Sequence, residues 1–340
     1  MEDTERTEEA FAVCRDMLAQ FRAEAAKRVV GQQAVLDGIL MALIAGGHVL
    51  LEGVPGLAKT LAVKTCADMS GLSFKRVQFT PDLLPADITG TLVYEQQTGA
   101  FSVHKGPVFA NVLLADEINR APAKVQSALL EAMAEKQVTI GETSYPLPEP
   151  FFVLATQNPI EQEGTYDLPE AELDRFLIKL IVPYPSFAEE VQIVQKGGAL
   201  ETAAVNTVLA PERLLYLRRL LEQVVCDEKI TEYIVSITGI TRPAAGRKAA
   251  GKLSVSAAKN RDDIWKYLAY GASPRASIAL CRCAKVQALF AGRPFVLPED
   301  VKQAAPAVLR HRLVLSYEAA ADGVTADSLI AKILSLLPVP

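Results

Sequence analysis

The chain has 340 residues, which is more than one ordinary hydrophobic core accommodates and enough for two domains. Half of the residues are hydrophobic and 22% are charged, the composition of a globular protein. A formal net charge of −5 and an aromatic content of 6% argue against a dedicated nucleic-acid binder. They do not exclude a local basic patch.

The five cysteines are scattered, at Cys14, Cys66, Cys226, Cys281 and Cys283. No second CxC or CxxC pair and no histidine accompanies the last two, so we expect reduced, buried thiols and no zinc site. The acidic amino terminus is unlike a signal peptide. Residues 39–51, the most apolar stretch, are interrupted by glycines and are too short to cross a bilayer. We therefore expect a cytoplasmic protein without a membrane segment.

The first half of the chain alternates between helical and strand patterns. Residues 3–28 predict a charged amphipathic helix, and 33–45 predict a second helix that ends at two glycines. Buried strands are predicted at 48–52, 74–79, 108–114, 151–156 and 176–182, separated by helical segments such as 124–135. This alternation predicts the α/β class, with a parallel sheet between layers of helices.

Two segments interrupt that alternation. Residues 92–104 predict a β-hairpin that turns at Thr98-Gly99, and residues 137–145 predict a second one that turns at Gly141. The proline-rich residues 182–186 indicate a domain boundary. We therefore expect one domain at 1–185 and another at 186–340.

The second domain is expected to be purely helical. Its predicted helices are 187–198, 211–226, 229–241, 276–291, 298–309 and 325–337. Pro211 and Pro298, each followed by an acidic residue, are typical helix starts. Residues 242–261 are small and basic without an acid, which predicts a mobile loop, and an extra helix is predicted at 262–267.

A glycine-rich segment, Gly53-Val-Pro-Gly-Leu-Ala-Lys-Thr60, follows the strand at 48–52 and opens a helix. Backbone N–H groups and a helix amino terminus there would face phosphate oxygens. Lys59 would contact the β- and γ-phosphates of a nucleotide, and the Thr60 hydroxyl would bind Mg²⁺. Ala58 stands where the pattern GxxxxGK[ST] has its last glycine, and we expect helical backbone there, which tolerates a methyl group. An ordinary strand–turn–helix junction is the alternative.

A second apolar strand, within residues 112–117, ends in two acids. Burying such a strand is unfavourable unless a cation or a reaction uses its carboxylates. Asp116 would hold Mg²⁺ and Glu117 would polarise the attacking water. Asn158 follows a third strand at the same edge of the sheet, where its amide would orient water or would simply form a turn before Pro159.

Two arginines complete the candidate site. Arg175 precedes the last core strand, and Arg275 starts a helix, where the positive helix end disfavours a cation unless an anion is near. A surface ion pair is the alternative for each of them. The chain has no Asn-Lys-x-Asp motif for guanine, so adenine is the preferred base.

In this order, these segments resemble the AAA+ superfamily and, within it, the MoxR family. The resemblance runs from Val30 to about Leu313, and Ala58 is ordinary in MoxR proteins. The segments that carry it are 53–60, 78–90 (QFTPDLLPADITG), 115–122 (ADEINRAP), 155–159 (ATQNP), 172–176 (ELDRF), 271–276 (GASPRA) and 309–312 (LRHR). The family joins its second and third lid helices by a shorter linker than residues 242–261.

The resemblance implies ATP and Mg²⁺ as cofactors and a role for each site residue. The catalytic set is Glu117 of Walker B, Asn158 as sensor 1, Arg175 as arginine finger and Arg275 as sensor 2. Thr60 and Asp116 would hold Mg²⁺. The residues expected to contact ATP are Val30, Gly31, Gly53, Val54, Pro55, Gly56, Leu57, Ala58, Lys59, Thr60 and Leu61.

The resemblance also implies a quaternary structure and partners. The chain would form a homo-oligomeric ring, as a hexamer, with a von Willebrand A domain partner and a protein client that it remodels or matures. The 92–104 hairpin would be an insertion in the second helix that projects toward the ring's pore. The helical domain would be a displaced lid, so Arg275 would act either on its own subunit's nucleotide or on a neighbour's.

Two motor functions of the same AAA+ branch are the alternatives. A nucleic-acid motor would use the same hairpins, but the acidic net charge and the single lysine near the first hairpin, Lys105, count against it. A metal-chelatase motor subunit shares the hairpin insertion. A non-catalytic scaffold is disfavoured because Glu117 and Arg175 are both present.

Overall fold

The computed structural model describes residues 2–159, 164–197, 199–242 and 264–340. These residues form two compact units. One unit contains Ala19–Phe176 and Leu180–Leu215, and the other contains Leu177–Lys179 and the described parts of Met1–Leu18 and Tyr216–Pro340. We keep the division at residues 185 and 186 as a proposal. None of the helices within the described ranges combines the length and apolar character needed to cross a membrane.

The central sheet has five strands in the order β2-β5-β8-β1-β9. Parallel pairing joins β2 to β5, β5 to β8 and β8 to β1. The strands are β1 (Val49–Glu52), β2 (Phe74–Gln78), β5 (Val112–Asp116), β8 (Phe152–Gln157) and β9 (Ile178–Ile181). The α/β architecture predicted from the sequence is confirmed.

The strand predicted at 108–114 is displaced. Pro107–Phe109 forms a 3₁₀ turn, and β5 begins only at Val112. Val108 and Ala110 are buried, with 0% and 6% exposure, although neither lies in a strand. The apolar pattern of residues 108–114 therefore predicted burial correctly. The strand starts later than predicted because Pro107, which has no N–H to donate, begins a 3₁₀ turn instead.

The chain up to Gln223 contains nine described helices. The second helix matches the predicted 33–45 residue for residue, because Gly46 ends it in a left-handed conformation with φ 71°. The helices are α1 (Glu2–Ala25), α2 (Gln33–Ala45), α3 (Lys59–Ser70), α4 (Pro85–Thr89), α5 (Ala123–Glu135), α6 (Glu170–Leu173), α7 (Phe187–Lys196), α8 (Ala199–Thr202) and α9 (Pro211–Gln223).

Both predicted hairpins form. Strands β3 (Gly90–Glu95) and β4 (Ala100–Lys105) pair in an antiparallel register, as do β6 (Gln137–Ile140) and β7 (Thr143–Pro146). The first hairpin begins where α4 ends, and Gly106 fixes its base, because a Cβ on that glycine would lie 2.2 Å from the Ile88 carbonyl oxygen. On its surface Tyr94 and Phe101 are exposed, with ring centroids 5.3 Å apart.

The last part of the chain contains α10 (Glu228–Ile240), α11 (Pro274–Phe290), α12 (Pro298–Leu309), α13 (Tyr317–Ala321) and α14 (Ala326–Leu336). The predicted helical domain is confirmed, but it is not purely helical. Strands β10 (Leu268–Tyr270) and β11 (Val314–Leu315) form an antiparallel pair. Three and two residues are too few to produce a strand periodicity in the sequence.

Two sequence predictions concern the segment before β10. The loop predicted at 242–261 lies outside the described residues from 243 onward. Of the helix predicted at 262–267, only the last four residues are described, and 264–266 are helical. The expectation of buried thiols is right for Cys14, Cys66 and Cys283, whereas Cys226 and Cys281 are partly exposed.

Candidate active site

The glycine-rich segment connects β1 to α3 as a phosphate-binding loop requires. Gly56 has φ +85°, and a Cβ placed there would meet no atom within 4 Å, so the loop encloses open space. Ala58 precedes the first residue of α3 with φ 53° and ψ 25°. The expectation of right-handed helical backbone at Ala58 is therefore wrong, because this residue is left-handed, the conformation that favours glycine.

Lys59, the first residue of α3, extends back over the loop. Its Nζ donates a hydrogen bond to the Gly53 carbonyl oxygen at 2.6 Å. Burial lowers the pKa of Lys59, and the carboxylates of Asp116 and Glu117 act in the opposite direction. A phosphate in the loop would place further negative charge beside this partly buried ammonium group.

Asp116 ends β5 and is only 8% exposed. The Thr156 hydroxyl donates to Asp116 Oδ1 at 2.6 Å, and the Arg76 guanidinium donates to Oδ2 through Nη2 at 2.6 Å and Nε at 3.1 Å. Both carboxylate oxygens therefore have partners. Hard oxygen ligands of this kind suit Mg²⁺.

Glu117 follows Asp116 in the left-handed conformation, with φ 56° and ψ 52°. Its N–H donates to Thr156 Oγ1 at 2.8 Å, and its Oε2 accepts a hydrogen bond from Gln78 Nε2 at 2.7 Å. Arg120 Nε lies 3.6 Å from the same carboxylate oxygen. The contacts with Gln78 and Arg120 orient the Glu117 carboxylate.

One cavity of about 540 Å³ joins these groups. Of the predicted site residues, Val30, residues 55–61, Asp116 and Glu117 line it, whereas Gly31, Gly53 and Val54 do not. Gln32, Ala58 and Glu117, three of the four left-handed non-glycine residues in the described chain, also line it. Backbone strain of this kind concentrates at functional sites. The volume, the open loop, the lysine and the buried carboxylate fit a nucleotide with Mg²⁺.

Asn158 and Arg175 do not line this cavity. Asn158 is buried and lines a separate cavity of about 450 Å³ with Glu52, Asn119 and Asp167. Arg175 is exposed, and its Nη1 donates to the Leu130 carbonyl oxygen at 2.9 Å, on α5. Arg275 lies in the first turn of α11, where its N–H donates to Ser273 Oγ at 3.1 Å. Within its own compact unit, the site thus groups Lys59 and Thr60 with Asp116 and Glu117, but not with Asn158 or Arg175.

Three side chains of the site were not assigned from the sequence. Arg76 and Gln78 lie on β2, and Thr156 lies on β8, so the two strands that flank β5 supply all of them. Gln78 and Thr156 did stand in segments that resemble the MoxR family. The contacts of all three with Asp116 and Glu117 depend on strand order and register, which the sequence pattern does not specify.

Comparison with known proteins agrees with this geometry. The model of the ATPase family associated with various cellular activities (AAA) matches residues 48–178, and the AAA lid domain matches residues 264–333. Chaperone MoxR1 of Mycobacterium tuberculosis is 46% identical over 317 residues, which cover 93% of this chain and 81% of the relative. Protein MoxR of Methylorubrum extorquens is 31% identical over 350 residues, with 96% of each chain covered.

A crystal structure from Cytophaga hutchinsonii, provisionally described as an ATPase, superimposes with a TM-score of 0.87 and 44% identity, and covers the full length of both chains. The sequence similarity thus extends along almost the whole chain, and both the AAA core and its lid are matched. These similarities, together with the nucleotide cavity, show that the chain is an ATPase and belongs to the MoxR family of AAA+ proteins.

Proposed function

We propose that this ATPase works as a homo-oligomeric ring, a hexamer, whose ATP hydrolysis drives the remodelling or maturation of protein complexes. The observation that carries the proposal is the position of Arg175. Its guanidinium is held on the Leu130 carbonyl, and the residue does not line the cavity that contains Lys59 and Asp116. An exposed arginine so placed is available to the nucleotide of a neighbouring subunit, and only a closed assembly gives every subunit such a neighbour.

Within one subunit, different residues of the cavity would bind the phosphates, hold the metal and activate water. Lys59 and the backbone of residues 55–58 would bind the phosphates, and Thr60 and Asp116 would hold Mg²⁺. When bound, Mg²⁺ would neutralise charge on the phosphate oxygens. Glu117 would accept a proton from the attacking water, and its contact with Gln78 would fix its orientation.

The remaining candidate site residues have proposed roles of their own. We assign Asn158 to the orientation of water at the γ-phosphate, since it follows β8, whose Thr156 already contacts Asp116. Val30, Gly31, Gly53 and Val54 would complete the nucleotide contacts. We assign Arg275 to sensing the nucleotide, in cis or in trans. Substitution of each residue alone, with ATP binding and hydrolysis measured, tests these assignments.

The first hairpin supports a protein client over a nucleic acid. Its exposed large hydrophobic side chains are Leu92, Val93, Tyr94 and Phe101. A phosphate backbone requires clustered cations, whereas apolar side chains at the hairpin suit unfolded or partly folded polypeptide. A von Willebrand A domain protein is the partner we expect to deliver such clients.

The test places a photocrosslinking amino acid at Phe101 in the Glu117→Gln variant, which should bind ATP without hydrolysing it. We expect ring-sized particles by light scattering and ATP-dependent crosslinks that survive nuclease treatment. The same crosslinker at Lys75, an exposed residue outside the hairpin, is the control. A protein that stays monomeric with ATP, or crosslinks that nuclease removes, would contradict the proposal.

A further inference from the structure

Arg76 places its guanidinium on the carboxylate to which we assign the metal. It lies on β2, the edge strand of the sheet, and pairs in register with Leu114, two residues before the end of β5. From there its Nη2 and Nε both donate to Asp116 Oδ2, at 2.6 and 3.1 Å. Both hydrogen bonds join charged groups, which makes them stronger than bonds between neutral groups.

The contact meets the electrostatic requirement of a buried charge. The Asp116 side chain is only 12% exposed, and its other oxygen, Oδ1, is already bonded to Thr156. A carboxylate removed from water to this extent needs a cation beside it. Among the described residues, Arg76 is the side chain that forms an ion pair with Asp116.

The exposure of Arg76 allows this contact to break. The Arg76 side chain is 50% exposed, so its guanidinium can leave Asp116 without being extracted from a packed core. It also lines the cavity that contains Lys59 and the phosphate-binding loop. Its Nη2 reaches Gln78 Oε1 at 3.2 Å, and Gln78 in turn donates to Glu117, so the arginine is connected to both acids of the site.

We propose that Arg76 is an internal counter-ion that occupies Asp116 in the nucleotide-free protein and is exchanged for Mg²⁺ when nucleotide binds, after which its guanidinium pairs with the phosphates. Arg76 would then prevent premature metal binding in the free protein and would bind phosphate in the complex. The inference rests on the proposed assignment of Asp116 to Mg²⁺. It adds a competitor for that carboxylate and a second cation for the phosphates.

The first experiment uses Mg²⁺ alone and measures thermal unfolding of the nucleotide-free protein. Wild type should gain little from Mg²⁺, because Arg76 already occupies the carboxylate. Arg76→Ala should start from a lower Tm and should gain at least about 2 °C more than wild type at saturating Mg²⁺. Lys75→Ala, which removes the same charge from the neighbouring exposed position on β2, should behave as wild type.

The second experiment measures ATP binding by calorimetry in EDTA. Without a metal, a guanidinium that reaches the phosphates contributes most to ATP affinity. Arg76→Ala should therefore weaken ATP binding about tenfold relative to Lys75→Ala, because about tenfold corresponds to the loss of one charge-assisted hydrogen bond. Arg76→Lys should recover part of it. If Arg76→Ala does not fold, Arg76→Gln, which keeps a hydrogen-bond donor without charge, takes its place in both experiments.

Equal Mg²⁺ stabilisation of wild type and Arg76→Ala, or equal ATP affinity in EDTA, would overturn the exchange. The metal assignment itself fails in a different way. In that case Asp116→Asn would leave the strengthening of ATP binding by Mg²⁺ intact. If Asp116→Asn abolishes that strengthening while Arg76→Ala behaves as Lys75→Ala, the proposed function stands and only the role of Arg76 is wrong.

Discussion

Thr156 and Asp116 are joined by a hydrogen bond of 2.6 Å between the threonine hydroxyl and carboxylate Oδ1. The same hydroxyl oxygen accepts the Glu117 N–H at 2.8 Å. Thr156 is completely buried. One hydroxyl on β8 thus fixes both acids at the end of β5, so the geometry of the Walker B pair depends on a neighbouring strand.

Thr156→Val removes that hydroxyl while keeping the shape of the side chain. We expect the free energy of unfolding to fall by about 1–3 kcal/mol, because the buried Glu117 N–H and Asp116 Oδ1 both lose a partner. ATP hydrolysis should fall about tenfold or more, with a smaller change in ATP affinity. Urea unfolding and steady-state phosphate release measure the two effects. Thr156→Ser keeps the hydroxyl and is the matched control, and a Val variant as active as the Ser variant would disprove the role.

Ala58 offers a test of backbone strain in the phosphate-binding loop. Its left-handed conformation, with φ 53°, is unfavourable for a residue with a Cβ by about 1–2 kcal/mol. Ala58→Gly should therefore stabilise the nucleotide-free protein by up to about 1 kcal/mol in urea, the gain being reduced by the greater freedom of glycine in the unfolded chain. Ala58→Val should destabilise it and weaken ATP binding. Destabilisation by glycine would show that the methyl group makes a contact worth more than the strain.

The thiols should differ sharply in reactivity. Burial raises the pKa of Cys66 and of Cys283 to about 12, and burial together with the adjacent Cys226 thiol raises that of Cys281 to about 11. Because the thiolate is the reactive form, at pH 8 roughly one molecule in a thousand or fewer is reactive at these sites. Iodoacetamide should then label the partly exposed Cys226 first, with Cys281 following only as pH rises toward its pKa. Peptide mapping checks this, and unfolded protein is the control. Rapid labelling of Cys66 or Cys283 at pH 8 would contradict the burial.

The sequence predicted those parts of the site that depend on local pattern. Gly46 ends α2 where expected, and the run from β1 through Gly56 to Lys59 forms the loop that its glycines indicate. Asp116 and Glu117 stand at the end of a buried strand, as the apolar run before them predicted. Each of these features is written within a few consecutive residues.

What the sequence did not predict depends on register or on backbone energetics. Arg76 reaches Asp116 because β2 lies next to β5 in a particular alignment, which residue spacing alone does not specify. The left-handed backbone of Ala58 was not expected, since alanine is a good helix former and the surrounding loop overrides that preference. The strands β10 and β11 are too short to leave a pattern.

We propose that the active site is shared between subunits. Arg175 contacts the Leu130 carbonyl and does not line its own subunit's nucleotide cavity, so it would act on a neighbour's γ-phosphate. Arg175→Ala should then bind ATP with near-normal affinity but hydrolyse it at least about a hundredfold more slowly, since a finger of this kind contributes about 10³–10⁵ in rate in comparable systems. Lys59→Ala should fail earlier, because it does not bind ATP. Circular dichroism must show that both variants are folded.

The most direct measurement mixes Arg175→Ala with Lys59→Ala in equal amounts, after subunit exchange has been verified by fluorescence energy transfer. Random exchange places an intact Lys59 cavity beside an intact Arg175 at about one interface in four. We predict that phosphate release in the mixture rises well above the sum of the two separate variants. Mixing Arg175→Ala with Glu117→Ala should restore activity in the same way, whereas the double variant Lys59→Ala/Arg175→Ala mixed with Arg175→Ala should not. A mixture that exchanges subunits and yet releases phosphate no faster than its components would contradict a shared active site.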